Sequence, residues 1–215
     1  MALAAAGQAH EPITTKLTWT QEISRIVYRR CVSCHREGGQ APMSLLTYEQ
    51  ARPWAKAIKE EVLERRMPPW DAVKGFGEFR DDRSLSDVEI TWLAEWVEGG
   101  APQGDEIYLP AVPSFERAGA KRPPRATKVP LTGVTRLPRD VIAVGIEPRA
   151  AVAATARRPD GTVAPLIWVR ERRKHAPGAY YFREPMKLPK GAEIRVTAAD
   201  SSPASLLIAA ARPAR

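Results

Sequence analysis

Both cysteines of this 215-residue chain lie in one pentapeptide, Cys31-Val32-Ser33-Cys34-His35. Two thiols and an imidazole so close together can form a redox dithiol, ligate a metal ion or attach a prosthetic group. The order Cys-x-x-Cys-His is the attachment pattern of a c-type haem, whose vinyl groups take the thiols while the histidine binds iron. The pentapeptide therefore predicts one covalent haem c on Cys31 and Cys34, with His35 as the proximal iron ligand.

The other interpretations of the two cysteines fit the sequence less well. A thioredoxin-like dithiol belongs in a βαβ context, whereas these cysteines follow a helical pattern. A structural zinc site needs four ligands, and the other two histidines, His10 and His175, are far away in the sequence. A disulfide between Cys31 and Cys34 is rare at helical spacing.

A second axial ligand has to come from elsewhere in the chain, and methionine or histidine commonly supplies it. The candidates are Met43, Met67, Met186, His10 and His175. Met43 follows His35 by only eight residues, which is too close to reach the opposite face of a haem easily. Met67 precedes two prolines that stop a helix and stiffen the backbone, so it is the preferred distal ligand. A packing role in the core is the alternative for Met67.

Four further residues are candidates for contact with the haem. Trp70, Phe76 and Phe79 would line it, although aromatic residues there could equally belong to a protein core. Metal-bound histidines usually donate their second N–H to a carbonyl or a carboxylate. The rigid turn around Pro42 predicts that a carbonyl from residues 39–42 holds His35.

Capping patterns predict three helices in the first half of the chain. A Thr or Ser is followed three residues later by Gln or Glu at Thr18–Gln21, Thr47–Gln50 and Ser86–Glu89. The first apolar stripe runs on to Cys34, Pro53 should break or kink the second helix, and Gly99-Gly100 should stop the third. The first half is therefore predicted to be all-α.

The second half has a different pattern. Prolines punctuate the chain from about residue 101 to 138, which indicates an extended connector. Beyond it, about six short strands and a hairpin turn at residues 159–162 predict a small antiparallel β-sandwich. The predicted fold class is α+β and multidomain, with an all-α cytochrome c domain (12–108), a Pro-rich linker (109–124) and a β-sandwich domain (125–212).

Several short motifs support a family resemblance. Besides the pentapeptide, the chain has Ala41-Pro42, Tyr48 and Met67-Pro68-Pro69-Trp70. With these motifs, residues 12–106 resemble the cytochrome c domain of bacterial multidomain proteins related to copper type II ascorbate-dependent monooxygenases. The resemblance implies that Met67 is the distal ligand. The stretches "PLIWVRE" and "YYFREPMKLPKGAEI" resemble the β-sandwich that follows that domain in many of these proteins.

The sequence departs from that family at the copper site. A copper oxygenase needs several His or Met ligands, and residues 109–215 contain one of each, His175 and Met186. Copper is therefore not expected. The predicted function is one-electron transfer by a mono-haem cytochrome that is not itself an enzyme. The alternative is a haem subunit of a larger redox enzyme, or a haem gas sensor with a displaceable distal Met.

Charge is distributed unevenly. Residues 1–108 contain 13 Lys and Arg against 17 Asp and Glu, and residues 109–215 contain 20 against 8. The basic half predicts docking to redox protein partners, acidic or membrane-associated; the alternative is that its Arg and Lys residues only keep the domain soluble. No nucleic-acid motif accompanies them. The Ala-rich residues 1–12 resemble the end of a signal peptide without its basic and apolar regions, or a disordered tail. The expected location is periplasmic or otherwise extracytoplasmic.

Overall fold

The computed structural model describes residues 15–115, 125–198 and 203–210. These residues form two compact units, which we call the first unit (residues 15–68 and 85–115) and the second unit (residues 69–84, 125–198 and 203–210). The Ala-rich stretch at residues 1–12, His10 and most of the predicted linker lie outside the described residues. Within the described ranges, no helix is both long enough and apolar enough to cross a membrane.

The first unit contains short helices. Its α-helices are α1 (Ser24–Arg30), α2 (Tyr48–Ala51), α3 (Ala55–Leu63) and α4 (Asp87–Glu98), with a π-helical turn at Trp19–Ile23 and 3₁₀ turns at Arg52–Trp54 and Glu106–Tyr108. The capping boxes predicted at Thr47 and Ser86 are confirmed, since each side chain accepts a backbone N–H and is answered by the Gln or Glu three residues on. Thr18 also caps the first turn, but the side chain that reaches back to its N–H is that of Glu22.

The core of the first unit is built around Trp19, whose side chain is 1% exposed. The Trp19 ring packs against Tyr28, Tyr48 and Trp96, with ring centroids 6.1–6.5 Å apart. The polar atoms of the three surrounding rings are satisfied: the Tyr28 hydroxyl donates to the Leu46 carbonyl (3.0 Å), the Tyr48 hydroxyl to the Ala101 carbonyl (2.9 Å) and the Trp96 indole N–H to the Pro102 carbonyl (2.9 Å). Aromatic burial of this kind holds short helices together where helix propensity alone would not.

The second unit consists of two antiparallel sheets. The strands are β1 (Ala126–Leu131), β2 (Val134–Arg136), β3 (Val141–Pro148), β4 (Val152–Arg157), β5 (Val163–Val169), β6 (Tyr180–Leu188), β7 (Glu193–Thr197) and β8 (Ala204–Ala209). One sheet has the order β1-β8-β3-β6 and the other the order β2-β7-β4-β5. Side chains from both sheets form one hydrophobic core, with Ile146, Leu166 and Ile194 fully buried. The predicted hairpin turn between β4 and β5 is confirmed by the bond from the Arg158 N–H to the Thr162 carbonyl (2.8 Å).

Residues 69–84, which we call the aromatic segment, pack with the strands of the second unit. Ala72 forms an isolated bridge with Val169, and Phe79 forms one with Phe182. The chain at Gly77 also passes very close to β5, because a Cβ added there would lie 2.5 Å from the Leu166 carbonyl oxygen. The predicted cytochrome range 12–108 included this segment, but the strand partners it finds lie about a hundred residues later.

The predicted fold class is wrong. Helices make up 23% of the structure and are short, and two four-stranded antiparallel sheets make the protein mostly β instead of giving it an N-terminal all-α cytochrome domain. Two local effects shorten the helices. The first helix begins with a π turn and ends at Arg30, before the cysteines, and the 3₁₀ turn containing Pro53 separates α2 from α3.

Candidate functional site

The Cys-x-x-Cys-His pentapeptide forms a tight turn directly after α1. The Cys31 N–H still donates to the Val27 carbonyl at 2.8 Å, as in a helix. The Cys31 carbonyl then accepts both the Cys34 N–H (3.1 Å) and the His35 N–H (2.9 Å). Because the Cys31 carbonyl accepts both N–H groups, the backbone of residues 31–35 forms one short turn, although the two cysteine side chains are not near each other.

The two cysteines are free thiols in different surroundings. The pKa of the Cys31 thiol is raised to about 12. Burial is the main cause, and the nearby Glu89 carboxylate adds to it, while the Arg30 charge has a smaller opposite effect. Cys34 is half-buried, with the Ser33 hydroxyl 3.8 Å from its sulfur. A reactive redox dithiol has a lowered thiol pKa. The environment of Cys31 is the opposite, which argues against the redox-dithiol interpretation.

The imidazole of His35 has one nitrogen that is buried without a partner. Nδ1 is shielded from solvent and makes no hydrogen bond to any described residue. Burial lowers the pKa of His35, and a backbone group of Met43 acts in the opposite direction. The sequence predicted a carbonyl from residues 39–42 as the partner of the ring, whereas the backbone group that acts on the His35 pKa belongs to Met43. Pro42 itself is exposed.

The loop after His35 folds back onto the pentapeptide. The Ala41 N–H donates to the Cys34 carbonyl at 3.1 Å, and the Leu45 N–H donates to the His35 carbonyl at 3.0 Å. Gly39 makes this fold possible, since a Cβ added at that position would lie 2.1 Å from the Cys34 carbonyl oxygen. The loop therefore supports both residues from their carbonyl side.

A buried carboxylate, Glu89, fixes the end of α1 to the start of α4. Its side chain accepts the Ser86 N–H at 2.7 Å and a bond from Arg30 Nε at 3.1 Å, while Arg29 Nη2 also lies 3.1 Å away. Arg30 immediately precedes Cys31, so this ion pair holds the end of α1, directly before the Cys-x-x-Cys-His turn. The sequence predicted Glu89 as a capping residue, but nothing local indicated its contact with an arginine 59 positions earlier.

Met67 lies in the irregular chain after α3. Its N–H donates to the Glu61 carbonyl at 3.2 Å, and its side chain is 37% exposed. Other large apolar side chains of the first unit are also uncovered, at the end of α3 and on one face of α4: these are Leu63, Val88 and Trp92. An ion pair of 2.7 Å between Arg65 and Asp87 joins the end of α3 to the start of α4.

The other methionines and histidine considered as iron ligands are placed differently. Met43 is half-buried against the core of the first unit, and Met186 packs against the core of the second. His175 is exposed in the loop before β6. Among the described residues, no group of three or more His, Cys, Asp or Glu side chains is arranged to hold a metal ion.

The three aromatic residues predicted to line a haem belong to the second unit. The Trp70 ring lies 4.9 Å from Tyr180, the Phe79 ring stacks on Phe182 at 5.9 Å, and the Phe76 ring meets Trp168 at 5.9 Å. Trp70 and Phe79 are thus part of the core around the strands. Cys31, Cys34, His35 and Pro42, in contrast, all lie in one continuous stretch of the first unit.

Comparisons with known proteins add no name to this arrangement. No family model, curated protein or solved structure matches the chain.

Proposed function

We propose that this chain is a mono-haem c-type cytochrome that transfers single electrons outside the cytoplasm. The observation that carries the proposal is the attachment turn: the cysteines of the chain, both free, follow a helix end and lead directly to a histidine. The proposal does not use the fold class, which differs from the predicted one. It uses the residues of the turn and the chemistry that this order of residues serves.

The residues present fit a haem in two respects. His35 follows the cysteines directly, and its Nδ1 is buried without a hydrogen-bond partner among the described residues, so this nitrogen is not committed to another protein group. The first unit leaves Leu63, Met67 and Trp92 uncovered, and such apolar side chains suit the faces of a porphyrin.

In this proposal Cys31 and Cys34 hold the haem by thioether bonds, His35 is the proximal ligand and Met67 the distal one. Haem supplies an iron that cycles between two oxidation states, and a methionine ligand raises its reduction potential. The protein contributes position. The Cys31 carbonyl fixes the turn, and the loop at residues 39–45 keeps the backbone of His35 in place. A pre-set histidine reduces the movement needed when the oxidation state changes.

The first test is covalent attachment. The full chain is expressed in the periplasm with cytochrome c maturation proteins, denatured, and weighed by mass spectrometry. One haem should remain bound, and replacing both Cys31 and Cys34 with Ala should release it. Ser33→Ala is the matched control in the same turn and should retain the haem. A parent protein that lacks haem after this treatment contradicts the proposal.

The second test concerns the distal ligand. Met67→Ala should remove the Met–iron charge-transfer band and lower the reduction potential, since the softer ligand is lost. Met43→Ala and Met186→Ala are matched controls and should keep both properties. If one of these controls loses the band instead, Met67 is not the ligand.

One observation favours the haem gas sensor as a second candidate function. Met67 is 37% exposed and does not belong to the hydrophobic core, so little packing holds it in place. Carbon monoxide added to the reduced protein distinguishes the two functions. An unchanged spectrum supports electron transfer with a firmly bound methionine, and a CO-bound spectrum supports a sensor.

A further inference from the structure

The outer face of the β2-β7-β4-β5 sheet, which we call the second sheet, carries a compact group of arginines. Arg136 on β2 and Arg157 on β4 are the cross-strand partners of Glu193 on β7, one on each side. Neighbouring strands are about 4.8 Å apart, so the α-carbons of these two arginines are about 10 Å apart. Arg195 lies two residues along β7, on the same face. We call Arg136, Arg157, Arg195 and Glu193 the arginine face.

The positive charge of this face is only partly balanced. Glu193 forms its ion pair with Arg136 at 2.6 Å, which leaves Arg157 and Arg195 without a bonded carboxylate in the described part of the chain. All three guanidinium groups act on this one acid, because they lower the pKa of Glu193, the hydrogen bond from Arg136 most of all. The face therefore carries three positive charges and one negative charge.

The surroundings of the arginine face are partly apolar. The outward residues between the arginines are small, with Thr155 opposite Arg195 and Thr197 opposite Ala153. Val134 and Val163 flank the face on the neighbouring strands and are 55% and 59% exposed. Because these two valines are uncovered, the face leaves apolar area in water that a protein partner could cover.

A fourth arginine extends the same side of the sheet. On β5, Trp168 is the cross-strand partner of Ala153, and the guanidinium of Arg170 lies 4.5 Å from the centre of its ring. Arginine, tryptophan and exposed aliphatic residues together are the composition that protein interfaces favour. A surface for nucleic acid would instead be dominated by charged residues that follow a phosphate backbone.

We propose that the arginine face is the docking surface for an acidic protein partner. Its guanidinium groups match carboxylates in a bidentate geometry, and its valines provide the apolar area beside them. The inference rests on the charges and register of the second sheet and does not require haem. The charge of residues 109–215 suggested a docking role without giving its location. The proposal places that role on one face of one sheet.

The test uses the full chain and a fluorescently labelled poly-L-glutamate peptide as the probe. Replacing both Arg157 and Arg195 with Gln should weaken binding about tenfold at low salt, since each exposed ion pair contributes modestly. The control is Arg183→Gln with Lys187→Gln, which removes two exposed positive charges from β6 in the other sheet. The control should bind nearly as well as the parent.

A variant with an added negative charge, the salt dependence of binding and other anionic ligands test the same proposal. Thr155→Glu places a negative charge in the middle of the face and should also weaken binding, with an unchanged melting temperature. Binding of the parent should be lost near 1 M salt, where the Debye length is about 3 Å. Equal weakening in the β6 control overturns the location. A single-stranded oligonucleotide or phosphatidylserine vesicles that bind more tightly through the same arginines overturn the class of partner, and no binding of poly-glutamate overturns the proposal. None of these results depends on haem, so the cytochrome proposal is tested separately.

Discussion

The strongest prediction about stability concerns Asp71, which fixes the aromatic segment to the chain before β6 within the second unit. Its carboxylate is fully buried, and Oδ2 accepts a bond from Arg172 at 2.7 Å and another from the Arg173 N–H at 3.0 Å. The Asp71 N–H in turn donates to the Tyr180 hydroxyl at 3.1 Å. Asp71→Ala should therefore leave Arg172 Nη1 and the Arg173 N–H without this acceptor, while Arg172 Nη2 keeps its bond to the Pro177 carbonyl (3.0 Å).

The magnitude follows from burial. Breaking a buried ion pair by removing one partner costs about 3–5 kcal/mol. The low end applies here for two reasons: the Arg172 side chain is 20% exposed and can recover water, and Asp71 Oδ1 is buried without a hydrogen-bond partner even in the parent. We expect a loss of about 3 kcal/mol in the free energy of unfolding, which lowers the melting temperature by about 6–12 °C.

Urea unfolding, monitored by hydrogen exchange at the amides of β3 and β6, measures this loss in the second unit. The matched control is the double variant Asp71→Ala with Arg172→Met, which removes both charges and keeps an apolar side chain. It should be more stable than Asp71→Ala alone, because no unpaired charge stays buried. If Asp71→Ala costs less than about 1 kcal/mol, or if the double variant is the less stable of the two, the buried-pair reasoning is wrong.

Two other predictions concern the candidate site, and a third concerns Trp70 in the second unit. Burial alone raises the pKa of Glu89, but the Ser86 N–H and Arg30 outweigh it, so its pKa lies below the ordinary 4.5. The stability that the Glu89 charge contributes is present above that pH and lost as the pH falls through the folded pKa, so Glu89→Gln should destabilise the protein at pH 7 and converge with the parent in acid unfolding curves. Gly39→Ala should reduce haem attachment, measured by mass, because the new Cβ collides with the Cys34 carbonyl; Gly178→Ala, at a position without a positive φ and with nothing within 4 Å, is the control for the substitution itself. Trp70→Ala should cost about 2–4 kcal/mol of stability through lost core packing, and an equally stable variant contradicts that role.

Local sequence signals predicted the parts of the fold that depend on neighbouring residues. The capping boxes at Thr47 and Ser86 formed because each uses atoms within a few positions. The hairpin turn before Thr162 formed for the same reason, with the Asp160 side chain accepting the Thr162 N–H at 2.9 Å. The apolar stripe that continues to Cys34 misled the prediction of the first helix, since periodicity does not show where the chain turns away.

Long-range pairing was the part that the sequence did not show. The aromatic segment contains Pro, Gly and scattered aromatic residues, a composition typical of a haem-lining loop or of any irregular connection. Its place is decided by Tyr180 and Phe182, which lie about a hundred residues later in the chain. The Glu89–Arg30 pair also joins residues far apart in the sequence, at a separation of 59 positions. The chemistry suggested by the Cys-x-x-Cys-His order needs no long-range information, because it is contained in five consecutive residues; haem attachment there stays a prediction.

The division of the chain at Pro68 changes how the Met67-Pro-Pro-Trp70 motif should be interpreted. Met67 belongs to the first unit and is uncovered, whereas Trp70 belongs to the second unit and packs on Tyr180. A side chain already packed in a protein core has less surface left to offer a cofactor, so its burial is explained without haem. Met67 has no such competing role in the core. Within the motif, the proposed ligand function therefore falls on the methionine, and the tryptophan is accounted for by the stability of the second unit.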